Sequence, residues 1–424
     1  MESRPVPVSF GEAFRFWLKL GFISFGGPTG QIAIMHQELV ERRRWISEKR
    51  FLHALNFCMV LPGPEAQQLA TYIGWLMHRT WGGIVAGGLF VLPSVFILVA
   101  LSWIYVTYGN VPLVAGIFYG IKPAVVAIVL AAAWRIAQRA LKHPALWGVS
   151  AAAFVAIFAF DAPFPAIVLV AGIIGYLGGC FYPDIFTGGG HGAAKASYGP
   201  ALIDDDTPTP AHALFSWIKV SAYVGAGLTL WALAIGALGA AGGWDGTLAQ
   251  MGLFFSQAAL LTFGGAYAVL PYVYQGAVEH YGWLTGPQMI DGLALGETTP
   301  GPLIMVVAFV GYLGAGTAGA LVATWFTFLP SFIFIFAGAP FVETTHGNLK
   351  FSAPLTGITA AVVGVIVNLA LFFAWHVFMP EGRFDWPSAL IGAAAFAALF
   401  RFKIGIMPVI GACALAGLAI TLLR

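Results

Sequence analysis

Charge is what this sequence has least of. Only 9% of its 424 residues are Asp, Glu, Lys or Arg, against 59% hydrophobic, and the mean hydropathy is +0.85. A soluble domain keeps itself in water with a far more charged surface, so the soluble classes are excluded. Cysteine is also scarce. Cys58, Cys180 and Cys413 form no CxxC pair and all sit in apolar segments, which excludes a disulfide framework and leaves structural filling as their expected role. There is no HExxH, no GxSxG and no intramembrane aspartate pair, which counts against an intramembrane enzyme acting on lipid or peptide. The opening Met1-Glu2-Ser3-Arg4-Pro5 lacks the n-region, h-region and cleavage site of a signal peptide. The net charge of +2 is spread over loop clusters and suggests no nucleic-acid partner.

Apolar runs of spanning length recur along the whole chain, so the fold class expected is an all-α polytopic membrane protein. A β-barrel is excluded because the runs are continuous rather than alternating. Several runs are interrupted. Phe51 to His78 reads as two short apolar helices separated by Pro62-Gly63-Pro64. Leu61 precedes a proline and is pushed out of the helical region, Gly63 is free to turn, and Pro64 suits the first position of a new helix. As a helix the first arm would be only about 16 Å long, roughly half a bilayer core. A break at that depth is tolerated only where it is buried in protein or lines a polar cavity. Phe10 to His36 is interrupted in the same way at Gly26-Gly27-Pro28-Thr29-Gly30. Longer spans follow near residues 81–105, 111–134, 146–160 and 164–181, then a hydrophilic Gly- and Pro-rich linker with Asp204-Asp205-Asp206, then one more span near 214–238.

The second half repeats the first. Ser24-Phe25-Gly26-Gly27 returns as Thr262-Phe263-Gly264-Gly265, Glu41 and Trp45 as Glu279 and Trp283, and Pro62-Gly63-Pro64 as Pro300-Gly301-Pro302, each 238 residues on. After a one-residue deletion Gly74 matches Gly311, Leu92-Pro93-Ser94 matches Leu329-Pro330-Ser331, and Gly120-Ile121 matches Gly357-Ile358. The chain therefore divides into a first repeat (1–183), a linker with a connecting transmembrane helix (184–245) and a second repeat (246–424). With both broken segments as re-entrant hairpins, Arg15, Lys19, Arg42–Arg44, Arg50, Arg79 and the basic residues from Arg135 to Lys142 fall on one side, the cytoplasmic one by the positive-inside rule. The connecting span then turns the second half over, and its loop His280–Gln288 carries no Lys or Arg. The expectation is two inverted-topology repeats whose breaks meet near the midplane. Broken segments that spanned fully would raise the count to about thirteen spans.

At this point the residues resemble a known family. FGGP…W…LPGPEAQQLATYIGW, with a degenerate FGG…W…TPGP copy, is similar to the chromate ion transporters in their long two-domain form. The resemblance covers nearly the whole chain. It implies proton-motive-force-dependent export of chromate across a bacterial inner membrane, giving chromate resistance, with sulfate as a competing or exchanged anion. No cofactor and no metal are implied, the partners are the oxyanion and the lipid bilayer, and a homodimer is left open. Sulfate or another divalent oxyanion as main substrate is the rival within transport. The second copy departs from the first after PGP, where Glu65-Ala66-Gln67-Gln68 faces Leu303-Ile304-Met305.

A tetrahedral dianion needs hydrogen-bond donors and positive potential, and helix N-termini supply both. The expected binding residues lie at the four half-helix starts: Ser24, Gly26, Gly27 and Thr29; Pro62, Gly63, Pro64, Gln67 and Gln68; Thr262, Gly264 and Gly265; Thr298, Thr299 and Gly301. Gln31 is a further nearby donor. Lys122, immediately before Pro123 in a long span, is the expected anion-neutralising cation. Glu65 would repel a dianion as a carboxylate but donate to one as an acid, so Glu65, with Glu297, is a candidate for proton coupling, a capping carboxylate being the alternative.

Overall fold

The computed structural model describes residues 6–25, 27–186, 198–345 and 352–423. Its helices run in the order α1 (Phe10–Ile23), α2 (Gly27–His36), α3 (Glu48–Val60), α4 (Glu65–Tyr108), α5 (Pro112–Ala140), α6 (Pro144–Phe160), α7 (Phe164–Phe181), α8 (Pro183–Phe186), α9 (Trp217–Gly242), α10 (Thr247–Leu261), α11 (Ala266–Tyr274), α12 (Gly286–Thr298), α13 (Val306–Thr345), α14 (Ser352–Phe378), α15 (Trp386–Phe400) and α16 (Ile406–Leu423). Among the described residues seven helical stretches are long and apolar enough to cross a membrane. Their outward faces carry Phe96, Leu169, Leu233 and Leu415, all exposed. So much apolar surface is stable only against lipid, and the chain is a multi-pass membrane protein.

The duplication extends to local geometry. A single π-helical turn follows α2 at Gln37–Arg42 and α11 at Gln275–His280, again 238 residues apart. The 44-residue α4 is two helices: His78 and Arg79 leave helical geometry, with Arg79 at φ 57°. Thr71 and Gly87 would be about 24 Å apart along one straight helix, yet a methyl group on Gly87 would collide with Thr71 Oγ1. The chain doubles back there, and Gly74 and Gly82 press backbone to backbone where a side chain would not fit. α13 does the same at Ala315 and Gly316, where Gly311 meets Gly319.

The broken segments also double back. Arg43 Nη1 lies 3.6 Å from Glu12, closing α1 and α2 into one hairpin, and the Phe57 and Tyr72 rings are 6.1 Å apart across the Pro-Gly-Pro elbow. In the second half Phe254 stacks on Tyr272 at 4.9 Å, and Phe309 packs on Gly292. Ser9, Ser47 and Thr285 cap the outer ends of three of these arms with their side chains.

The outer loops of the two halves meet different parts of the chain. The first half's loop at Arg44–Ser47 pairs with linker residues Leu202 and Ile203, and His212 reaches Trp75 O at 2.9 Å. From there α4's second arm, α5 and α6 traverse the molecule three times to the α6–α7 turn. There the Phe164 N–H donates to Gln275 Oε1 at 3.1 Å, in the π-turn of the second half. Glu343, near the far end of α13, returns to pair with Arg50 at 3.3 Å.

Candidate functional site

The four breaks converge, and they do so reciprocally. Gly63 N–H donates to Thr262 O at 2.7 Å, and Gly301 N–H donates to Ser24 O at 2.8 Å. Because Gly301 is the counterpart of Gly63 and Thr262 that of Ser24, each Pro-Gly-Pro elbow is bonded to the other half's Phe-Gly-Gly break, as a two-fold relation requires. Both elbow glycines have positive φ, 126° and 108°. Only glycine is at ease there, and only glycine fits: a methyl on Gly63 would stand 2.5 Å from Ser331 Oγ, and one on Gly301 2.7 Å from Ser94 Cβ. Gln31 straddles the second junction, donating to Gly301 O at 2.5 Å with Ser24 O at 3.4 Å. Two inner helices, α4 and α11, start here without a side-chain cap, on Pro64 and Gly265. Their first N–H groups and positive dipole ends therefore face the junction.

The side chains expected to donate are mostly committed elsewhere. Ser24 Oγ bonds back to Leu20 O at 2.6 Å and Thr262 Oγ1 to Ala258 O at 2.7 Å. Thr298 and Thr299 reach Leu295 O and Gly296 O at 3.0 and 3.2 Å. Gln68 Nε2 closes onto Pro62 O at 2.7 Å, and Gln67 Nε2 onto Thr71 Oγ1 at 3.0 Å. These groups hold the breaks in shape, and local bonding of this kind is the ordinary use of a buried hydroxyl in a helix. Thr29 is exposed on α2's first turn, and Gly26 lies outside the described residues. Gly27, Gly264 and Gly265 supply the positive-φ turns of the Phe-Gly-Gly breaks.

Lys122 departs most from expectation. Its Nζ is 3.3 Å from Asp291, a residue 2% exposed that also accepts from Tyr105 Oη at 2.8 Å. The ammonium is neutralised within the fold because a buried charge without a partner is too costly. It ties α5 to α12. The two acids do reach the junction. Glu65 opens α4 beside Gly265, and Glu297, at α12's inner end, accepts a hydrogen bond from Tyr267.

A cleft of about 790 Å³ opens beside the junction, lined by Phe25, Trp134, Arg135, Gln138, Glu297 and Lys403. Its cations stand at the end of α5 and in the α15–α16 turn, and Phe25 and Glu297 belong to the breaks. A second cavity of about 420 Å³ gathers Arg15, Lys19 and Arg43 with Glu12 beside α1. Ser94, Ser331, Tyr267, Asp291 and the cleft position of Arg135 went unassigned from sequence. For the serines the signal was present, since the matched Leu-Pro-Ser triplets put a proline and a hydroxyl inside otherwise apolar runs.

Long lipid-facing helices around a buried polar junction of broken hairpins are the architecture of a multi-pass membrane transporter. The family is shown by sequence comparison: the chain belongs to the chromate transporter family, whose profile matches residues 11–176 and again 249–418. It is 34% identical to a chromate transport protein of Pseudomonas aeruginosa over 98% of this chain and 94% of that protein. It is 32% identical to the chromate transport protein of Cupriavidus metallidurans over 92% and 87% of the two chains. An uncharacterised transporter of Methanocaldococcus jannaschii is 27% identical over 95% of this chain. No solved structure matches.

Proposed function

We propose that this protein exports chromate across a bacterial inner membrane by alternating access, with the interlocked elbows as the oxyanion site. The observation that carries this is the reciprocal pair of bonds from Gly63 to Thr262 and from Gly301 to Ser24. It brings uncapped helix starts from both halves to one buried place. Three traverses separate the two sets of outer loops, which supports inverted-topology repeats, whose relative rocking would expose that place to either side in turn. The basic loop at Arg42–Arg44 would be cytoplasmic. The cleft lined by Arg135 and Lys403 would then be the cytoplasmic approach, concentrating anions at its mouth.

Energetics favour export. A dianion leaving an inside-negative cell gains about 4.6 kcal/mol per 100 mV, roughly a thousandfold gradient. Uptake against that potential would need co-transported cations. Glu65 and Glu297 are the candidates for proton coupling, since each can change charge at the breaks. The test is uptake of labelled chromate by everted membrane vesicles carrying the protein, energised and then uncoupled, with sulfate as competitor. Energy-dependent uptake that sulfate competes weakly supports chromate export. Uptake of sulfate in preference to chromate would transfer the assignment to sulfate, and uptake of neither would refute it.

A further inference from the structure

Buried hydroxyls in these helices bond back one turn: Ser24 to Leu20, Ser102 to Leu98, Ser256 to Gly252, Thr262 to Ala258 and Thr327 to Ala323, all at 2.6–2.7 Å. Ser94 and Ser331 do not. They are 0% and 1% exposed, and neither Oγ has a hydrogen-bond partner. Each follows a proline, Pro93 or Pro330, inside a long helix. A buried hydroxyl without a partner costs stability, and here the same orphan occurs at equivalent positions of both halves.

Both orphans lie against an elbow of the opposite half. A methyl on Gly63 would lie 2.5 Å from Ser331 Oγ, and one on Gly301 3.0 Å from Ser94 Oγ. The start of α4 at Pro64 adjoins one of these glycines and carries no side-chain cap, and a three-residue 3-10 turn follows Pro302 beside the other. Two unpartnered acceptors, Gln67 Oε1 and Gln68 Oε1, lie on the arm that begins at Glu65.

Resting on the oxyanion-transport assignment above, we propose that Ser94 and Ser331 are paired ligand-contacting donors, one from each half. Each gives its hydroxyl hydrogen to an oxygen of a bound tetrahedral oxyanion and so sets the site's affinity. A hydrogen bond from a neutral donor to an ion is among the stronger kinds in proteins, so losing one costs about tenfold in affinity or more.

The experiment measures chromate uptake against concentration in everted vesicles for Ser94 and Ser331 changed to Ala, Thr or Cys. Each Ala variant should raise the half-saturating concentration about tenfold at near-normal protein level and maximal rate. Thr keeps the hydroxyl and should stay close to wild type, whereas Cys, similar in shape but a weak donor, should fall with Ala. A packing role gives the reverse order, since Thr adds a methyl group. Ala variants with wild-type half-saturation, or Thr worse than Ala, would overturn the proposal. If the wild type moves no chromate, the assignment of substrate fails separately. The serines are then tested on purified protein by thermal shift with sulfate, phosphate and molybdate. Stabilisation by an oxyanion that needs about tenfold more anion in each Ala variant supports the proposal. Equal shifts in the variants, or none in the wild type, contradict it.

Discussion

Replacing Gly63 with alanine tests the elbow through two separate costs. At φ 126° an L-residue is strained by about 1–3 kcal/mol. The new methyl stands 2.5 Å from Ser331 Oγ and 2.6 Å from Gln68 Nε2, and overpacking of that kind adds about 1–3 kcal/mol. The sum, about 2–6 kcal/mol, falls on the conformation in which Gly63 bonds to Thr262. Even the lower figure reduces the population of that conformation about 30-fold. Gly27→Ala is the control: its φ is 68° but nothing lies within 4 Å of the added methyl, so only about 1–2 kcal/mol of backbone strain applies. Initial chromate uptake in everted vesicles, normalised to protein in the membrane, should therefore fall much further for Gly63→Ala than for Gly27→Ala. In detergent, adding Ser331→Ala to Gly63→Ala should recover part of the lost thermal stability, because one of the two close contacts is relieved. Equal effects at the two glycines, on rate and on stability, would refute the account of the elbow.

Other expectations follow from single contacts. Lys122→Met strands Asp291 as an unpaired buried carboxylate and should cost about 3 kcal/mol, the low end for such pairs because Lys122 stays 29% exposed. Adding Asp291→Asn should restore most of the thermal stability in detergent, and no restoration would show that the pair is not what holds α5 to α12. Glu65→Gln should flatten the pH dependence of transport, and a profile identical to wild type would remove Glu65 from coupling. In the linker, burial and then the nearby Arg79 and Lys219 hold the His212 imidazole below its ordinary 6.5, outweighing its bond to Trp75 O. A histidine depressed in this way stabilises the fold at pH above 6.5 and loses that contribution as the pH falls and the ring is charged. Protease cleavage between residues 198 and 213 should accordingly be faster at about pH 5.5 than at about pH 7.5, and His212→Ala should abolish the difference.

Much of this arrangement was legible in the residues. Apolar runs, the Pro-Gly-Pro and Phe-Gly-Gly breaks and the constant offset between the copies report local chain geometry, which sequence encodes directly. The doubling back at His78–Arg79 was visible as the place where the hairpin ends. Partnership was not legible. Nothing local to Lys122 says that Asp291, far along the chain, will neutralise it. Nothing local to Ser24 or Thr262 decides between bonding back to its own helix and facing a ligand. Ser94 and Ser331 were hidden for the same reason: a serine after a proline reads as a kink until the opposite elbow is seen against it. The reciprocal exchange between Gly63–Thr262 and Gly301–Ser24 depends on two surfaces meeting, and no single stretch contains it.

The central claim, that the halves face opposite ways around one junction, is tested most directly by thiol accessibility at Arg42 and His280. These are equivalent exposed positions in the two π-helical turns. With Cys180, the exposed native thiol, changed to Ser, single cysteines at 42 and 280 are offered a membrane-impermeant reagent in intact cells and in everted vesicles. Labelling of 280 only from outside the cell and of 42 only in everted vesicles is the predicted result. Labelling of both from the same side would contradict the account.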